Sequence, residues 1–355
     1  MEKREATKAA LLAQYSRYPK LQLADLFKFL YQSAFGCEHL VKETGAVKEY
    51  IEKEFAERCP MEGDLVEPLD GDWCRVSLKC LEDGLSADTF ARLFFFSAEQ
   101  AKDGEVLLEE KLSVLRELVK KGSLPFDEAE TEEAIETWKR AGYPACHHSE
   151  AFRACYAPAY RLIKKTYVPF LPLFIRIDCM LKRGRVTLAI EGGSASGKST
   201  LGELLEKVYG CTMFHMDDFF LRPGQRTPER LAEPGGNVDR ERFLKEVLAP
   251  LEKNERVMYR RFDCGTFTLN PPIEKRLSQL NVTEGVYSMH PELAGYYNLS
   301  VFLDITPELQ KKRIGKRNSL ETAERFLAEW IPMERGYFKA HKVKERCDLT
   351  IVISE

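Results

Sequence analysis

Apolar residues in the first half of the chain recur at helical spacing. Leucine and valine positions three and four residues apart predict a helix over 106–119, and Gly122 and Pro125 follow where that helix should end. The run LFFF at 93–96 fits either a buried strand or one turn of a helix, because periodicity cannot separate the two over so short a run. The same helical spacing predicts further helices over 9–15, 23–40 and 128–141.

The pattern changes beyond about residue 180, where short apolar runs alternate with amphipathic segments. Such alternation is typical of βαβ units and a mainly parallel sheet, here of about five strands. The predicted strands are 186–190, 211–216, 280–284, 299–305 and 349–354. The predicted helices between them are 198–209, 239–253, 307–318 and 320–342. We therefore expect an α/β domain over 184–355, preceded by a mainly helical domain over 1–180.

Composition supports an ordinary globular protein with two domains. The chain has 355 residues, of which 44% are hydrophobic and 31% charged, and this excludes a disordered or collagen-like chain. The net charge of -3 gives no overall attraction to nucleic acid or to an anionic membrane. The longest apolar stretch, at 168–175, is interrupted by Pro169 and Pro172, so we expect no membrane span.

The N-terminus and the cysteines indicate a cytoplasmic protein. The first twenty residues mix charge with alanine and leucine and lack the apolar core of a signal peptide. Ten cysteines are scattered along the chain with no CxxC pair, which is typical of reduced thiols rather than a disulfide framework.

One glycine-rich segment between the predicted strand 186–190 and the predicted helix 198–209 matches the pattern GxxxxGK[ST]. Such a loop aims backbone N–H groups at phosphate oxygens, next to the positive end of a helix. The lysine is expected on the β- and γ-phosphates of ATP, and the hydroxyl of Ser199 is a ligand that suits Mg²⁺. The predicted nucleotide-binding residues are Gly192, Gly193, Ser194, Ala195, Ser196, Gly197, Lys198, Ser199 and Thr200.

The second strand of this domain ends in HMDDFFL at 215–221, which resembles the acidic and aromatic motif of the uridine kinase and phosphoribulokinase family. In that family an aspartate at the carboxyl edge of the sheet accepts the proton of the acceptor hydroxyl, and Asp217 matches it. Phe219 and Phe220 match the aromatic pair that follows. The resemblance covers roughly residues 184–355 and implies an ATP- and Mg²⁺-dependent kinase. The alternative is that Asp217 or Asp218 only caps the next element.

Two further segments match the same family. The third strand ends in VTEGVY at 282–287, and the resemblance assigns Glu284 to Mg²⁺, with Ser199 as the other metal ligand. An exposed strand glutamate is the alternative for Glu284. The basic helix at 310–318 resembles the lid of P-loop kinases, in which an arginine stabilises the transferring phosphoryl group. Arg313 and Arg317 lie one helical turn apart and are the candidates, although basic helix residues are often only solvated.

The acceptor itself is less well specified. The long segment 222–239 is where the family places acceptor recognition, and Asp239 is a good N-cap for the helix that follows. In YRRFDC at 259–264, Phe262 and Asp263 match an acceptor-binding Tyr-Asp pair, but Cys264 replaces the following phenylalanine. The resemblance implies a nucleoside or a related metabolite as the small-molecule acceptor, and the Cys264 departure leaves ribosyl cofactor precursors, pantothenate-like alcohols and sugar acids open as alternatives.

The first half carries no specific motif. Two groupings contain metal-ligand residue types, Cys37 with His39 and Cys146 with His147 and His148, but their spacing is not that of a structural zinc site. The segment from His148 to Arg161 is rich in residues that line grooves. Two hypotheses compete with the kinase: an ATP-dependent regulator whose helical half senses the bound nucleotide, and a bifunctional enzyme with a second active site in the first half.

Overall fold

The structure is a computed structural model, and it describes residues 2–37, 44–57, 63–98 and 104–354. The chain divides into two compact units, Met1–Leu171 and Pro172–Glu355. The sequence placed the change of domain near 180–184, whereas the helix Leu171–Leu181 falls almost entirely in the second unit.

The first unit is mainly helical, as predicted, and it also contains a small antiparallel sheet. The run 93–96 lies within a helix, because it continues an amphipathic segment that begins at Ala87. The sheet has the order β1-β2-β3 and was not predicted. Its strands are β1 (Val66–Pro68), β2 (Trp73–Ser77) and β3 (Tyr160–Lys164). The helices are α1 (Glu2–Arg17), α2 (Leu23–Phe35), α3 (Thr44–Ala56), α4 (Ala87–Ala98), α5 (Gly104–Lys120), α6 (Glu128–Arg140) and α7 (Glu150–Tyr156).

The second unit is built on a five-stranded sheet with the order β12-β11-β4-β10-β5, in which every pairing is parallel. The α/β fold predicted from the sequence is thus confirmed. Its strands are β4 (Val186–Gly192), β5 (Thr212–His215), β10 (Leu280–Glu284), β11 (Leu299–Ile305) and β12 (Leu349–Ile353). Two short antiparallel pairs complete the strands: β6 (Val257–Tyr259) with β9 (Ile273–Lys275), and β7 (Phe262–Asp263) with β8 (Thr268–Leu269).

The four predicted helices of this unit are present, whereas the helices Leu171–Leu181, Pro228–Ala232, Pro291–Ala294 and Val343–Arg346 were not predicted. Two of the predicted helices each contain a π-helical turn, at Leu244–Leu248 and at Phe326–Trp330. The helices are α8 (Leu171–Leu181), α9 (Lys198–Tyr209), α10 (Pro228–Ala232), α11 (Arg240–Phe243), α12 (Ala249–Glu252), α13 (Pro291–Ala294), α14 (Pro307–Arg317), α15 (Leu320–Arg325), α16 (Ile331–His341) and α17 (Val343–Arg346).

The order of the sheet brings the candidate residues to one edge. Because parallel strands all end on the same side, the segments after β4, β5 and β10 meet at the carboxyl edge. In the register, Glu284 at the end of β10 pairs with His215 of β5 on one side and with Ile190 of β4 on the other. The core that supports this edge includes the fully buried rings of Phe214, Phe219, Phe243 and Tyr337.

The sequence analysis predicts neither a membrane-spanning helix nor disulfide bonds. Within the described ranges, none of the helices is long and apolar enough to cross a bilayer. The nine cysteines for which coordinates are described form no disulfide with one another, and four of them, Cys37, Cys74, Cys80 and Cys211, are buried in the packing.

Candidate active site

The phosphate-loop motif lies where the sequence placed it, between β4 and α9. Its backbone is left-handed at Gly192 and Gly197, which only glycine adopts without strain. The ammonium group of Lys198 turns back and donates to the carbonyl oxygens of Gly192 at 2.8 Å and Gly193 at 3.0 Å. The first N–H groups of α9 have no partner within the helix, so the loop is shaped to receive an anion.

A second feature of the loop also suits a phosphate ligand. The Ser196 side chain is buried, and its hydroxyl has no hydrogen-bond partner among the residues that the structure describes. A buried hydroxyl without a partner is costly, and a phosphate oxygen would satisfy it. The loop residues therefore fit the triphosphate of a nucleotide.

Oxygen and nitrogen side chains gather beside the loop around Glu284. This carboxylate is buried, accepts a hydrogen bond from the Ser199 hydroxyl at 3.5 Å, and lies 2.8 Å from Nδ1 of His215. The hydrogen bond to Glu284 raises the pKa of His215. A serine hydroxyl beside carboxylates is the hard oxygen donor set that Mg²⁺ prefers, so these residues fit the metal. His215 was not among the predicted site residues.

Asp217 and Asp218 have different surroundings although they are neighbours in the turn after β5. The Asp217 side chain reaches solvent. Burial of its carboxyl group, followed by the nearby charge of Glu284, nevertheless raises the pKa of Asp217, whereas the charge of Lys198 lowers it. Asp218 instead accepts a hydrogen bond from the Tyr259 hydroxyl at 3.1 Å and pairs with Arg261 at 3.3 Å. Asp218 thus braces the turn, whereas the Asp217 side chain is exposed.

The two lid arginines are placed differently. Arg313 in α14 donates to the carbonyl oxygen of Ala195 in the phosphate loop and to that of Ser354, both at 3.3 Å. Arg317 lies one turn further along α14 and is exposed, with no hydrogen bond or ion pair to any described residue. Arg313 therefore contacts the loop directly, whereas the Arg317 side chain is exposed to solvent.

Two residues that the sequence did not single out hold the loop from outside. Glu334 of α16 accepts hydrogen bonds from the Ser194 backbone N–H at 2.9 Å and from the Ser194 hydroxyl. Gln310 of α14 donates its side-chain amide to the Ser194 carbonyl at 2.9 Å. A Cβ at Gly193 would lie 2.9 Å from the Gln310 amide nitrogen, so the close approach of this side chain depends on glycine.

A third support is Glu191, the last residue before the loop glycines. Its carboxylate is fully buried and accepts hydrogen bonds from the backbone N–H groups of Gly192 at 2.9 Å and Met289 at 3.1 Å. The Tyr337 hydroxyl of α16 donates to the same carboxylate at 3.2 Å. A charged residue inside the apolar strand VTLAIEG was the available signal, and it marks a carboxylate that ties the start of the loop to two other segments.

Replacing Glu191 by glutamine is expected to remove a pH-dependent effect on stability. Burial raises the pKa of Glu191 to about 7, whereas a glutamate in an unfolded chain titrates near about pH 4.3. The folded state therefore binds more protons between these values, so this group lowers the free energy of unfolding as the pH rises toward about 7. We expect the stability of the wild type relative to Glu191→Gln to fall by a few kcal/mol, roughly, between about pH 5 and about pH 8.

Urea denaturation of both proteins across this pH range measures the difference. Glu324→Gln, an exposed glutamate of α15, is the control and should give no such slope. A stability difference between wild type and Glu191→Gln that does not change with pH would contradict the assignment.

The predicted acceptor segments are ordered around their own turns. Asp239 caps α11 by accepting from the Arg242 backbone N–H at 3.2 Å, as the sequence predicted. Asp263 accepts from the backbone N–H groups of Gly265 at 2.7 Å and Thr266 at 3.1 Å, so it holds the hairpin between β7 and β8.

The side chains that flank Asp263 differ in exposure. Phe262 is buried against Phe267, and Cys264 is exposed at the turn. Asp263 itself, the carboxylate that the resemblance assigns to the acceptor, is engaged by the backbone N–H groups of its own turn.

The Cys/His groupings of the first unit are separated by their contacts. His148 is buried between Asp25 and Tyr160, while His147 is exposed. Across the described residues, no set of three or more histidine, cysteine or acidic side chains is placed to hold a metal ion. His39, the partner suggested for Cys37, lies outside the described residues.

Comparison with solved structures finds proteins similar to about half of this chain. One is a possible uridine kinase from Bacillus stearothermophilus, with 21% identity and a TM-score of 0.38, covering 51% of this chain and 99% of that one. Another, proposed to be a fructose transport system kinase from Silicibacter sp. TM1040, has 22% identity and a TM-score of 0.41, covering 49% and 96%.

A third similar structure is a shikimate kinase from Acinetobacter baumannii, with 16% identity and a TM-score of 0.27, covering 48% of this chain and 85% of that one. Each of the three matches covers about half of this chain and most of the solved structure. No protein-family model and no curated protein matches the chain.

Proposed function

We propose that the second unit is an ATP- and Mg²⁺-dependent kinase that transfers the γ-phosphoryl group to a hydroxyl of a small molecule, of the nucleoside class. The observation that carries this proposal is the grouping at the carboxyl edge of the sheet. There Lys198, Asp217 and Glu284 lie within electrostatic reach of one another beside the phosphate loop. A switch needs the loop, but only a transferase needs a carboxylate beside it that is open to a second substrate.

The chain's own residues divide the work. The loop backbone and Lys198 bind and orient the phosphates. Arg313, which donates to the Ala195 carbonyl oxygen, adds positive charge next to them. Asp217 accepts the proton of the attacking hydroxyl, for which its raised pKa suits it. Ser199 and Glu284 would hold Mg²⁺, which neutralises charge on the phosphates when bound.

The acceptor class rests on the resemblance of the segments at 215–221 and 259–264 to uridine kinases. Because Asp263 is engaged in its hairpin turn and Cys264 departs from the family pattern, we propose the class and leave the individual nucleoside to experiment. Pantothenate, sugar acids and ribosyl cofactor precursors are alcohols that belong in the same test.

The test is ADP formation by the purified chain with ATP and Mg²⁺ across a panel of these alcohols, with Lys198→Ala as the control. We expect one nucleoside to stimulate ADP formation well above the rate without acceptor, and the control to abolish that stimulation. Lys207→Ala, in the last turn of α9, is a matched lysine variant outside the loop that should keep the activity.

Tight ATP binding without stimulation by any acceptor would overturn the kinase proposal. The ATP-dependent regulator would then be the better hypothesis. Its signature is a change of amide hydrogen exchange in the first unit when nucleotide binds.

A further inference from the structure

A histidine that the sequence analysis did not single out lies at the end of the edge strand of the second unit's sheet. His215 is the last residue of β5, and the parallel register places it opposite Glu284, the last residue of β10. Its Nδ1 lies 2.8 Å from Oε1 of Glu284. A carboxylate offers acceptors only, so the hydrogen between the two atoms lies on Nδ1 and His215 is the donor. His215 thus directs one hydrogen bond at one oxygen of the candidate metal carboxylate.

Glu284 has few other contacts that could orient it. The residue is 8% exposed, and no lysine or arginine among the described residues forms an ion pair with it. The Ser199 hydroxyl reaches the same oxygen, Oε1, at 3.5 Å, which is long for an O–H donor. The other oxygen, Oε2, accepts no hydrogen bond from any residue that the structure describes. The short bond from His215 is therefore the main contact that sets the orientation of this buried side chain.

The position of Oε1 also decides how Ser199 presents its hydroxyl group. Ser199 lies in the first turn of α9, and its hydroxyl carries one hydrogen and two lone pairs. When the hydrogen is directed at Oε1, the lone pairs face away from Glu284 and can serve a hard cation. Oε2 of Glu284 offers a second oxygen of the same kind. His215 thus acts on both candidate metal ligands through a single atom.

The backbones that carry His215 and Glu284 are fixed by other contacts. β10 is hydrogen-bonded to β4 on one side and to β5 on the other. Directly after the two strands, a Cβ at Gly285 would lie 2.6 Å from the Cβ of Met216, so the strand ends approach as closely as glycine allows. Removing the imidazole would therefore leave the strand ends in place and free only the Glu284 side chain to rotate.

The imidazole contributes little to the core. The His215 side chain is 38% exposed, whereas its strand neighbour Phe214 is fully buried. A cross-strand pair of this kind at the edge of a sheet can serve stability alone. That purely structural role predicts a small loss of stability without His215 and no effect on metal binding, so the two roles can be told apart.

We propose that His215 is a positioning residue of the metal site: it holds Oε1 of Glu284, and so leaves Oε2 and the Ser199 hydroxyl oxygen free to bind Mg²⁺. The inference rests on the nucleotide and metal binding of the proposed function. His215 acts through Glu284 rather than as a ligand, because its Nδ1 is occupied by the hydrogen bond. Replacing a residue that orients a metal ligand in this way typically weakens metal binding by about 10- to 100-fold.

The test measures metal affinity with Mn²⁺, which prefers the same oxygen ligands as Mg²⁺ and is visible by electron paramagnetic resonance. Mn²⁺ is titrated into the full chain saturated with ADP, and binding to free ADP is subtracted. His215→Leu removes the donor, and we expect it to bind Mn²⁺ about tenfold more weakly or worse. His215→Asn keeps an N–H donor near the position of Nδ1, so we expect it to restore most of the affinity.

Two controls separate metal binding from folding and from nucleotide binding. His147→Leu carries the same substitution at an exposed histidine of the first unit and should leave the Mn²⁺ affinity unchanged. In His215→Leu, the ADP affinity measured with EDTA and the urea midpoint should change little, because the phosphate loop and the strand pairing do not depend on the imidazole. A merely structural histidine would shift the urea midpoint and not the Mn²⁺ affinity.

Three outcomes overturn the proposal. They are an unchanged Mn²⁺ affinity in His215→Leu, an equal loss in His215→Leu and His215→Asn, and a wild-type chain that binds ADP but no Mn²⁺. If His215→Leu does not fold, His215→Ala, which also removes the donor, takes its place. Failure of the proposed function looks different: Mn²⁺ binding would weaken in His215→Leu as expected, yet no acceptor would stimulate ADP formation by the wild type.

Discussion

Asp217→Asn is expected to lower the kcat of phosphoryl transfer by about 10²- to 10⁴-fold, with ATP affinity nearly unchanged. An amide has the shape of the carboxylate but cannot accept the hydroxyl proton. Burial, followed by the charge of Glu284, raises the pKa of Asp217, so wild-type activity should fall as the pH drops through that raised value. Steady-state kinetics with the acceptor found in the panel, together with calorimetric titration of ATP, measure both quantities.

Asp218→Asn is the matched control because it changes the adjacent carboxylate in the same turn. Asp218 is engaged by Tyr259 and Arg261, so its replacement should cost stability, roughly 1–3 kcal/mol, and change kcat little. Equal losses of kcat in the two variants would show that the turn, rather than a base at Asp217, is what activity requires.

Gly192→Ala is expected to destroy ATP binding and to destabilise the second unit. The backbone φ at Gly192 is +146°, which L-residues with a Cβ rarely adopt, and the new Cβ would lie 2.7 Å from the carbonyl oxygen of Leu303. That oxygen belongs to the neighbouring strand β11 and cannot move away as a flexible side chain could. We expect a loss of stability of about 3 kcal/mol or more, combining strain with overpacking.

Gly210→Ala separates the two causes. Gly210 ends α9 with a φ of +61°, and a Cβ there meets nothing within 4 Å. Its replacement should therefore cost only about 1 kcal/mol of conformational strain and leave ATP binding intact. Urea denaturation and ATP titration of both variants make the comparison, and a Gly192→Ala protein that binds ATP normally would refute the steric argument.

The sequence predicted the second unit well because each signal there is local. A strand, a glycine-rich loop and a helix follow one another within 186–209, and alternating elements set the parallel sheet. The three-stranded sheet of the first unit was missed for the opposite reason. β1 has three residues, and β3 pairs with β2 from more than eighty residues away, so no short window contains its pattern.

The candidate site shows the same division between local and distant signals. The loop motif, Asp217 and Glu284 each stand in a recognisable string. Glu334 stands in no such string, and Gln310 stands in the lid-like segment without any sign of its contact with the loop, because both residues approach Ser194 from more than a hundred residues later in the chain. Glu191 could have been noticed as a charge in an apolar strand, but its partners Met289 and Tyr337 come only from the folded chain.

The phosphate loop of this chain depends on contacts from residues outside its own sequence motif. Glu334 and Tyr337 lie one turn apart on α16. Glu334 accepts a hydrogen bond from Ser194 within the loop, and Tyr337 donates one to Glu191 just before the loop. A shortened chain that stops before α16 would keep every residue of the motif and lose both of these supports. Transplanting 192–200 alone into another parallel sheet would lose them as well, so the smallest transferable nucleotide site extends from β4 to the end of α16.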